Sequence, residues 1–159
     1  MVELVKAASG DMDKFYALRC EQNNIAWTGY ISPPQLINFI EWYNKQLGNS
    51  KREIYFLKEK DELLGYLYVD FISSESLEIG YGISEAESGK GLGTLMIGLF
   101  LKLAKSQGSK AVIALVSEKN ISSQKCLLKN GFRKTSQFEV RILPLICGSS
   151  KFYTWVKQL

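Results

Sequence analysis

The sequence predicts an α/β (α+β) fold in which helices flank one mixed, mostly antiparallel sheet. Two strand-forming runs, residues 54–57 and 63–72, are separated by a short charged turn, which predicts an antiparallel hairpin. A third run, residues 77–83, precedes an apolar helix from about residue 94 to 106 and the continuous apolar run 111–116. A strand, a helix and a second buried strand in this order predict a right-handed crossover between parallel strands.

Turn and capping residues delimit the other predicted elements. Capping residues at 9–13 begin a helix, while Gly108 and Asn130-Gly131 each end one. The sequence thus predicts further strands at residues 2–7, 132–141 and 151–156, with Pro144 and Gly148 between the last two. It predicts further helices through residues 15–19, from residue 36 to near Gly48, and over residues 120–129.

The region before the second helix predicts a loop followed by a capped helix start. Ser32-Pro33-Pro34-Gln35 combines an N-cap, proline in the first turn and a capping-box Gln. Residues 23–31 are interpreted as a loop that holds Trp27 and Tyr30. These two aromatic side chains either line a pocket or pack beneath the loop.

Length and composition predict a single globular domain over residues 1–159. The chain is 46% hydrophobic and 23% charged, and it carries a net charge of +4. The positive charge is spread along the chain and forms no basic stripe, so a small anionic ligand fits it as well as a nucleic acid does. We therefore expect no nucleic-acid partner.

Residue usage narrows the chemistry. Histidine is absent, which excludes His-dependent metal sites and Ser-His or Cys-His nucleophile pairs. Cys20, Cys126 and Cys147 form no CxxC pair, so no metal site is predicted and a reducing cytoplasm fits best. We see no signal peptide and no membrane span, and thus expect no membrane partner.

The most informative stretch is residues 87–94, which read ESGKGLGT between a strand and a helix. Alternate glycines let successive main-chain amides approach a ligand at the positive end of a helix dipole, and Lys90 adds a charge. The Walker A spacing is absent, and Met96 stands where a dinucleotide fingerprint requires glycine. Alone, the turn predicts either an anion site or a flexible helix cap.

A second motif, Asn120-x-x-Ser123 followed by Lys129-Asn130-Gly131-Phe132, decides between these alternatives. The glycine turn resembles the Arg/Gln-x-x-Gly-x-Gly/Ala acyl-CoA signature of the GNAT superfamily of N-acetyltransferases. The second stretch resembles that superfamily's Asn-x-x-Ser/Ala and Lys-x-Gly-Phe segment, at a similar spacing. The resemblance implies a three-layer fold over the whole chain, with acetyl-CoA as cosubstrate and no metal.

The resemblance also implies which residues bind the cosubstrate. Main-chain amides of residues 89–93 hold the pyrophosphate, and the strand end at residues 82–84 pairs with the pantetheine arm. Asn120 and Ser123 contact the arm and the phosphates, although Asn120 also suits a helix N-cap and Ser123 a helix contact. The complete predicted binding set is Ile83, Ser84, Ser88, Gly89, Lys90, Gly91, Leu92, Gly93, Thr94, Asn120 and Ser123.

Two positions depart from the family pattern. Ser88 replaces the first Arg or Gln of the signature, which removes one side-chain contact to the pyrophosphate and leaves Lys90 to compensate. Leu127 stands where many members have a Tyr that protonates the leaving thiolate. Protonation is then left to water, Tyr81 or Cys126.

Glu78 is the candidate general base. The two-residue alternation of the strand places Glu78, Gly80 and Gly82 on one face, so that the carboxylate stands beside an open glycine floor. A Glu in this strand removes the amine proton in many family members. The competing interpretation is a solvated carboxylate, and Glu85 and Glu87 are weaker candidates.

The predicted reaction is direct acetyl transfer to a primary amine on a small molecule or a peptide. Because the chain has no His and has Leu127 at the usual acid position, we expect an amine of low pKa, such as a protein N-terminus or the amine of a nucleotide-linked sugar. The alternative is a domain that binds acyl-CoA or a partner without catalysis. A homodimer is compatible with the sequence.

Overall fold

The computed structural model describes residues Met1–Leu159 as seven strands and five helices. The strands are β1 (Val2–Lys6), β2 (Arg52–Glu59), β3 (Glu62–Phe71), β4 (Ser76–Ile83), β5 (Ala111–Ser117), β6 (Arg133–Leu143) and β7 (Gly148–Gln158). The helices are α1 (Met12–Arg19), α2 (Gln22–Trp27), α3 (Leu36–Leu47), α4 (Leu92–Ser106) and α5 (Ile121–Lys129), with short 3-10 turns at Ser9–Asp11 and Glu85–Glu87.

All seven strands form one sheet in the order β1-β2-β3-β4-β5-β7-β6. The β4–β5 pair is parallel, and the other neighbours are antiparallel. Helix α4 makes the crossover from β4 to β5. The predicted mixed, mostly antiparallel sheet with one parallel crossover pair is therefore confirmed.

Two apolar clusters bind the helices to opposite faces of the sheet. The larger cluster joins α4 and α5 to one face through Met96, Ile97 and Leu127. The smaller one joins α1 and α3 to the other face through Phe15, Tyr43 and other aromatic side chains. Burial of this apolar surface is the main term that holds the three layers together.

The region between α1 and α3 differs from the sequence-based prediction. Residues 22–27 form α2 and not a loop, and they bury Asn24, Ile25 and Ala26. Trp27 is half-buried and Tyr30 is 63% exposed. Helix α3 begins only at Leu36, with Gln35 as its N-cap in an extended conformation and without a side-chain capping bond. The predicted N-cap at Ser32 is wrong, because Pro33 itself precedes a proline, which disfavours the helical conformation that the first residue after an N-cap needs.

The last two strands are longer than predicted. Strands β6 and β7 form a hairpin that includes Gly148, and their register shifts between Lys134 and Phe138. At the far end of β6 the carbonyl of Ile142 lies against Gly29, so the hairpin reaches the loop after α2. No helix combines the length and the hydropathy that crossing a membrane requires.

Candidate active site

The parallel strands β4 and β5 separate halfway along β4. Residues 76–79 of β4 pair with residues 111–114 of β5, and no pairing continues beyond them. Residues 80–83 keep their antiparallel partners on β3, so only their β5-facing edge is open. Free main-chain N–H and C=O groups at such an edge can pair with an extended chain, as a further strand does. This gap fits a pantetheine arm.

The glycine turn lies at the end of this gap and exposes its main chain. Gly89 and Gly91 have φ of 78° and 79°, and no heavy atom lies within 4 Å of a Cβ built on either. Gly91 is the N-cap of α4, and its carbonyl accepts from the amide of Leu95 at 3.1 Å. The amides of the first helical turn have no partner within the helix, so they form an anion-binding end. The turn fits a pyrophosphate.

Gly93 has a different role from its two neighbours. It is buried, and a Cβ built on it lies 3.0 Å from Sγ of Cys126 on α5. The absence of a side chain at Gly93 therefore permits α4 and α5 to pack closely. Asn130 strengthens the same contact, because its Nδ2 donates to the carbonyl of Thr94 at 3.1 Å.

The side chains of the glycine turn add little net charge to the anion-binding end of α4. Ser88 is exposed, and Nζ of Lys90 forms an ion pair with Glu87 at 3.0 Å. Lys90 and Glu87 thus neutralise each other, and the main-chain amides remain the principal donors. Glu85 is also engaged, because its Oε1 accepts from the amide of Asn23 at 2.7 Å. Neither Glu85 nor Glu87 shares the strand face of Glu78.

The start of α5 forms the opposite wall of the gap. Oδ1 of Asn120 accepts from the amide of Ser123 at 3.2 Å, so Asn120 is the N-cap of this helix. The hydroxyl of Ser123 is hydrogen-bonded to the phenol of Tyr81 on β4. Leu127, in the position of the family's Tyr, is fully buried and has no group to donate. The tyrosine beside the gap therefore comes from β4 and not from α5.

Tyr81 is a proton-bearing group at the point where the strands separate. Its side chain packs against the larger apolar cluster, and burial raises the pKa of the phenol, an effect that the hydrogen bond with Ser123 partly opposes. The phenol is therefore protonated throughout the neutral range. Of the three proton sources that the sequence offers, Tyr81 is the one whose hydroxyl the structure places against Ser123 at this point.

Glu78 lies on the opposite face of β4 from Tyr81 and is half-buried. Burial raises the pKa of its carboxyl group, and the nearby Asp70 raises it further, while Arg141 acts in the opposite direction. A raised pKa makes a carboxylate a better proton acceptor. The structure thus gives Glu78 a base-like environment beside the gap.

The glycine floor predicted next to Glu78 is only half open. Gly80 is exposed, and a Cβ built on it meets nothing closer than Cδ2 of Tyr68 at 3.9 Å. Gly82 is covered, because the same construction places a Cβ 2.6 Å from Cε1 of Tyr66 and against Asn24. The prediction of an open floor is therefore wrong at Gly82. The open space beside Glu78 is at Gly80.

Charged groups from distant parts of the sequence surround this face. Arg52 donates to Asp70 through two hydrogen bonds of 2.6 and 2.9 Å, and Arg141 pairs with Glu139. Arg19, at the end of α1, donates through Nη1 to the phenol of Tyr66 at 3.0 Å. Sequence reasoning did not identify these residues, because they converge only through the order of the strands. Two open surface clefts lie elsewhere, one beside Lys6 and Gln46 and the other beside Lys14 and Asp61.

Comparison with known families identifies this arrangement. Residues 2–133 match the model of the acetyltransferase (GNAT) domain. The chain belongs to the GNAT acetyltransferase family. It is therefore an acyltransferase by family, and the resemblance inferred from the glycine turn and the Asn120 motif is confirmed.

Solved structures show the same GNAT fold. Spermidine N-acetyltransferase from Vibrio cholerae, in complex with CoA and spermine, has a TM-score of 0.86 at 16% identity over 99% of this chain and 95% of that chain. An N-acetyltransferase from Staphylococcus aureus Mu50 has a TM-score of 0.81 at 16% identity over 99% and 98%. An aminoglycoside acetyltransferase in complex with coenzyme A has a TM-score of 0.79 at 18% identity over 99% and 95%. Comparison with curated proteins by sequence gives no match.

Proposed function

We propose that this GNAT protein transfers an acetyl group from acetyl-CoA to a primary amine by direct attack. The observation that carries the proposal is the pairing of two features at one place: an open β4–β5 gap that leads to an exposed glycine turn, and a carboxylate of raised pKa next to that gap. Acetyl-CoA bound there supplies an activated acyl group as a thioester.

Glu78 takes the proton that the attacking amine must lose. Its half-buried carboxylate, beside the exposed Gly80, accepts this proton by direct contact with the amine or through one bridging water. Main-chain amides near Ile83 face the gap and stabilise negative charge that develops on the carbonyl oxygen.

Tyr81 serves the leaving thiolate. A thiol of pKa about 8.5 leaves as thiolate at pH 7 at a cost of about 2 kcal/mol, so a hydrogen-bond donor is sufficient and a strong acid is unnecessary. The protonated phenol of Tyr81, already placed against Ser123 at the gap, is such a donor.

The acceptor is an amine of low pKa. A lysine amine of pKa about 10.4 is almost wholly protonated at pH 7, a handicap of roughly 4.6 kcal/mol, whereas an α-amine of pKa near 7.8 loses about 1 kcal/mol. With one carboxylate as its only base, the site favours a protein N-terminus or an amine on a sugar ring over a lysine side chain or a polyamine.

The test is steady-state release of free thiol from acetyl-CoA with a panel of amines, with product masses recorded. Free N-terminal peptides and amino-sugar nucleotides are compared with N-terminally blocked lysine peptides and polyamines at neutral pH. Preference for the first group supports the proposal. Preference for the lysine amine overturns the choice of acceptor, and binding of acetyl-CoA without transfer to any amine supports the alternative of a non-catalytic acyl-CoA-binding domain.

A further inference from the structure

On the side of the sheet that carries Glu78, neither Glu78 nor Arg19 has an ionic partner. Arg52 is paired with Asp70, and Arg141 with Glu139. None of the six ion pairs of the molecule includes Glu78 or Arg19. An unpaired carboxylate and an unpaired guanidinium therefore lie on the same side of the sheet.

Aromatic side chains, and not carboxylates, surround the Arg19 guanidinium. Its Cζ lies 5.4 Å from the ring centroid of Tyr66, and its Nη1 donates to the Tyr66 hydroxyl. Tyr68 and the exposed Tyr30 are close enough to act on its charge. A guanidinium has five donors, and the protein occupies one of them. The remaining donors have the planar geometry that binds carboxylate and phosphate oxygens.

One acidic residue of this region, Glu21, is already engaged. Glu21 lies close to Tyr66, but its carboxylate accepts from the hydroxyl of Ser84 at 3.1 Å and from the amide of Glu85 at 2.8 Å. Those contacts fix Glu21 against the segment after β4. They leave the Arg19 guanidinium free for a ligand.

The strand register places these groups at a defined spacing. Tyr66, Tyr68 and Asp70 pair with Gly82, Gly80 and Glu78 respectively. Successive positions on one face of a strand lie about 7 Å apart. Arg19 stands over the Tyr66 position, and the open space for the reacting amine is at Gly80. Along the strand, the Gly82 position beneath Tyr66 and Arg19 is one such step from Gly80, and Glu78 is one step on the other side.

We infer that Arg19 binds an oxyanion of the acceptor, so that the substrate carries a carboxylate or phosphate group about 7 Å from the amine that is acetylated. This inference rests on the proposed acetyltransferase function and specifies its acceptor. A zwitterionic substrate places its amine near Glu78 and its oxyanion on Arg19. A polyamine, which is cationic at every position, is repelled by Arg19.

Two series of acceptors test the inference. One consists of ω-amino carboxylates and aminoalkyl phosphonates of increasing chain length, and the other of simple alkylamines and diamines of the same lengths. For the wild-type protein we expect kcat/KM to be at least about tenfold higher for the best oxyanion-bearing amine than for its alkylamine counterpart, with diamines lowest. Comparison of carboxylates with phosphonates identifies which oxyanion is preferred.

Variants of Arg19 assign the effect to this residue. Arg19→Gln is expected to raise KM about tenfold or more for the oxyanion-bearing amines and to leave alkylamines unchanged, and Arg19→Lys to restore part of the difference. Arg133→Gln, the same change at an exposed position of β6, is the control. Equal kcat/KM across both series in the wild type, or an equal loss for all acceptors in Arg19→Gln, overturns the inference.

A binding measurement tests the Arg19 oxyanion site without turnover. Calorimetry with alkyl carboxylates and alkyl phosphonates that lack the amine is expected to show binding to the wild type and a loss of about tenfold or more in Arg19→Gln. If neither these amines nor the peptides and amino-sugar nucleotides of the first panel are acetylated, the proposed function fails, and this measurement still tests the oxyanion site. Absence of Arg19-dependent binding together with absence of acceptor preference refutes the site.

Discussion

At the scale of single residues, Glu78 carries the most direct prediction. Glu78→Gln removes the proton acceptor and keeps the shape, so kcat is expected to fall on the order of 100-fold at pH 7 with little change in the Kd of acetyl-CoA. The deficit is expected to shrink at high pH, where the amine loses its proton unaided. Thiol-release kinetics from pH 6 to about 9.5 measure both effects.

Glu75→Gln is the control for this change, because Glu75 is an exposed carboxylate just before the same strand. It is expected to match the wild type at every pH. Burial raises the pKa of Glu78, and its base form is lost as the pH falls through that pKa, so the part of the acidic limb that belongs to Glu78 is expected to be absent in Glu78→Gln, whose activity follows the titration of the amine alone. Full activity of Glu78→Gln at neutral pH removes this residue from the mechanism.

Tyr81 gives a second prediction at this scale. Tyr81→Phe removes the donor to the thiolate, and since a hydrogen bond to a charged group contributes about 1.5–3 kcal/mol, kcat is expected to fall about 10- to 100-fold. Tyr55→Phe removes another buried phenol, which donates to Glu53 far from the gap, and it controls for loss of stability. If both variants keep wild-type kcat, Tyr81 has no role in leaving-group departure.

Sequence reasoning placed some of these residues and missed others for a physical reason. The face of Glu78 follows from the two-residue period of a strand, which is local information. Tyr66 and Asn24 cover Gly82 because three elements pack together there. The sequence around Gly82 does not indicate this packing. The unpaired charge on Arg19 is likewise visible only once the structure shows that the neighbouring Arg52 is paired with Asp70 and that no carboxylate pairs with Arg19.

At the scale of elements, the glycine turn before α4 predicts a loss of cosubstrate binding. Gly91→Val places a side chain among the exposed amides and strains a residue with φ of 79°, so the Kd for coenzyme A is expected to rise by about 100-fold or more. Calorimetry with coenzyme A measures it.

Gly108→Val is the matched control for the turn. Gly108 follows the other end of α4, has φ of 88° and also has no atom within 4 Å of a built Cβ. Both variants therefore carry a similar conformational strain, expected to be on the order of 1–2 kcal/mol, and only one lies at the turn. Equal coenzyme A affinity in the two variants shows that the anion site is elsewhere.

Elements with strong local signals were predictable, and those determined by tertiary contacts were not. The hairpin of β2 and β3 and the crossover through α4 follow from periodicity and turn residues. Helix α2 is six residues long and depends on burying Asn24, Ile25 and Ala26, so its composition alone resembles a loop. Helix α4 starts at Leu92, two residues before the predicted Thr94, because Gly91 is its N-cap.

At the scale of the whole molecule, acetyl-CoA is expected to raise the melting temperature. A ligand that binds only the folded state adds about 2.7 kcal/mol at a concentration 100 times its Kd. For a chain of 159 residues this corresponds to roughly 6–10 °C. Differential scanning calorimetry with increasing acetyl-CoA tests it, and no shift at millimolar ligand contradicts the proposed binding.

The short β4–β5 pairing also affects how the ligand-free sheet holds together. Only four residue pairs join β1–β4 to β5–β7, and beyond them the seam is bridged by the Tyr81–Ser123 hydrogen bond. Amides along this seam are expected to exchange with deuterium faster than those of the β2–β3 pair, because local opening there breaks few contacts. A bound pantetheine arm would occupy the position of an absent strand segment, so exchange at residues 80–83 is expected to slow when acetyl-CoA is added. The bound cosubstrate would then stabilise the junction between the two halves of the sheet, in addition to donating the acetyl group.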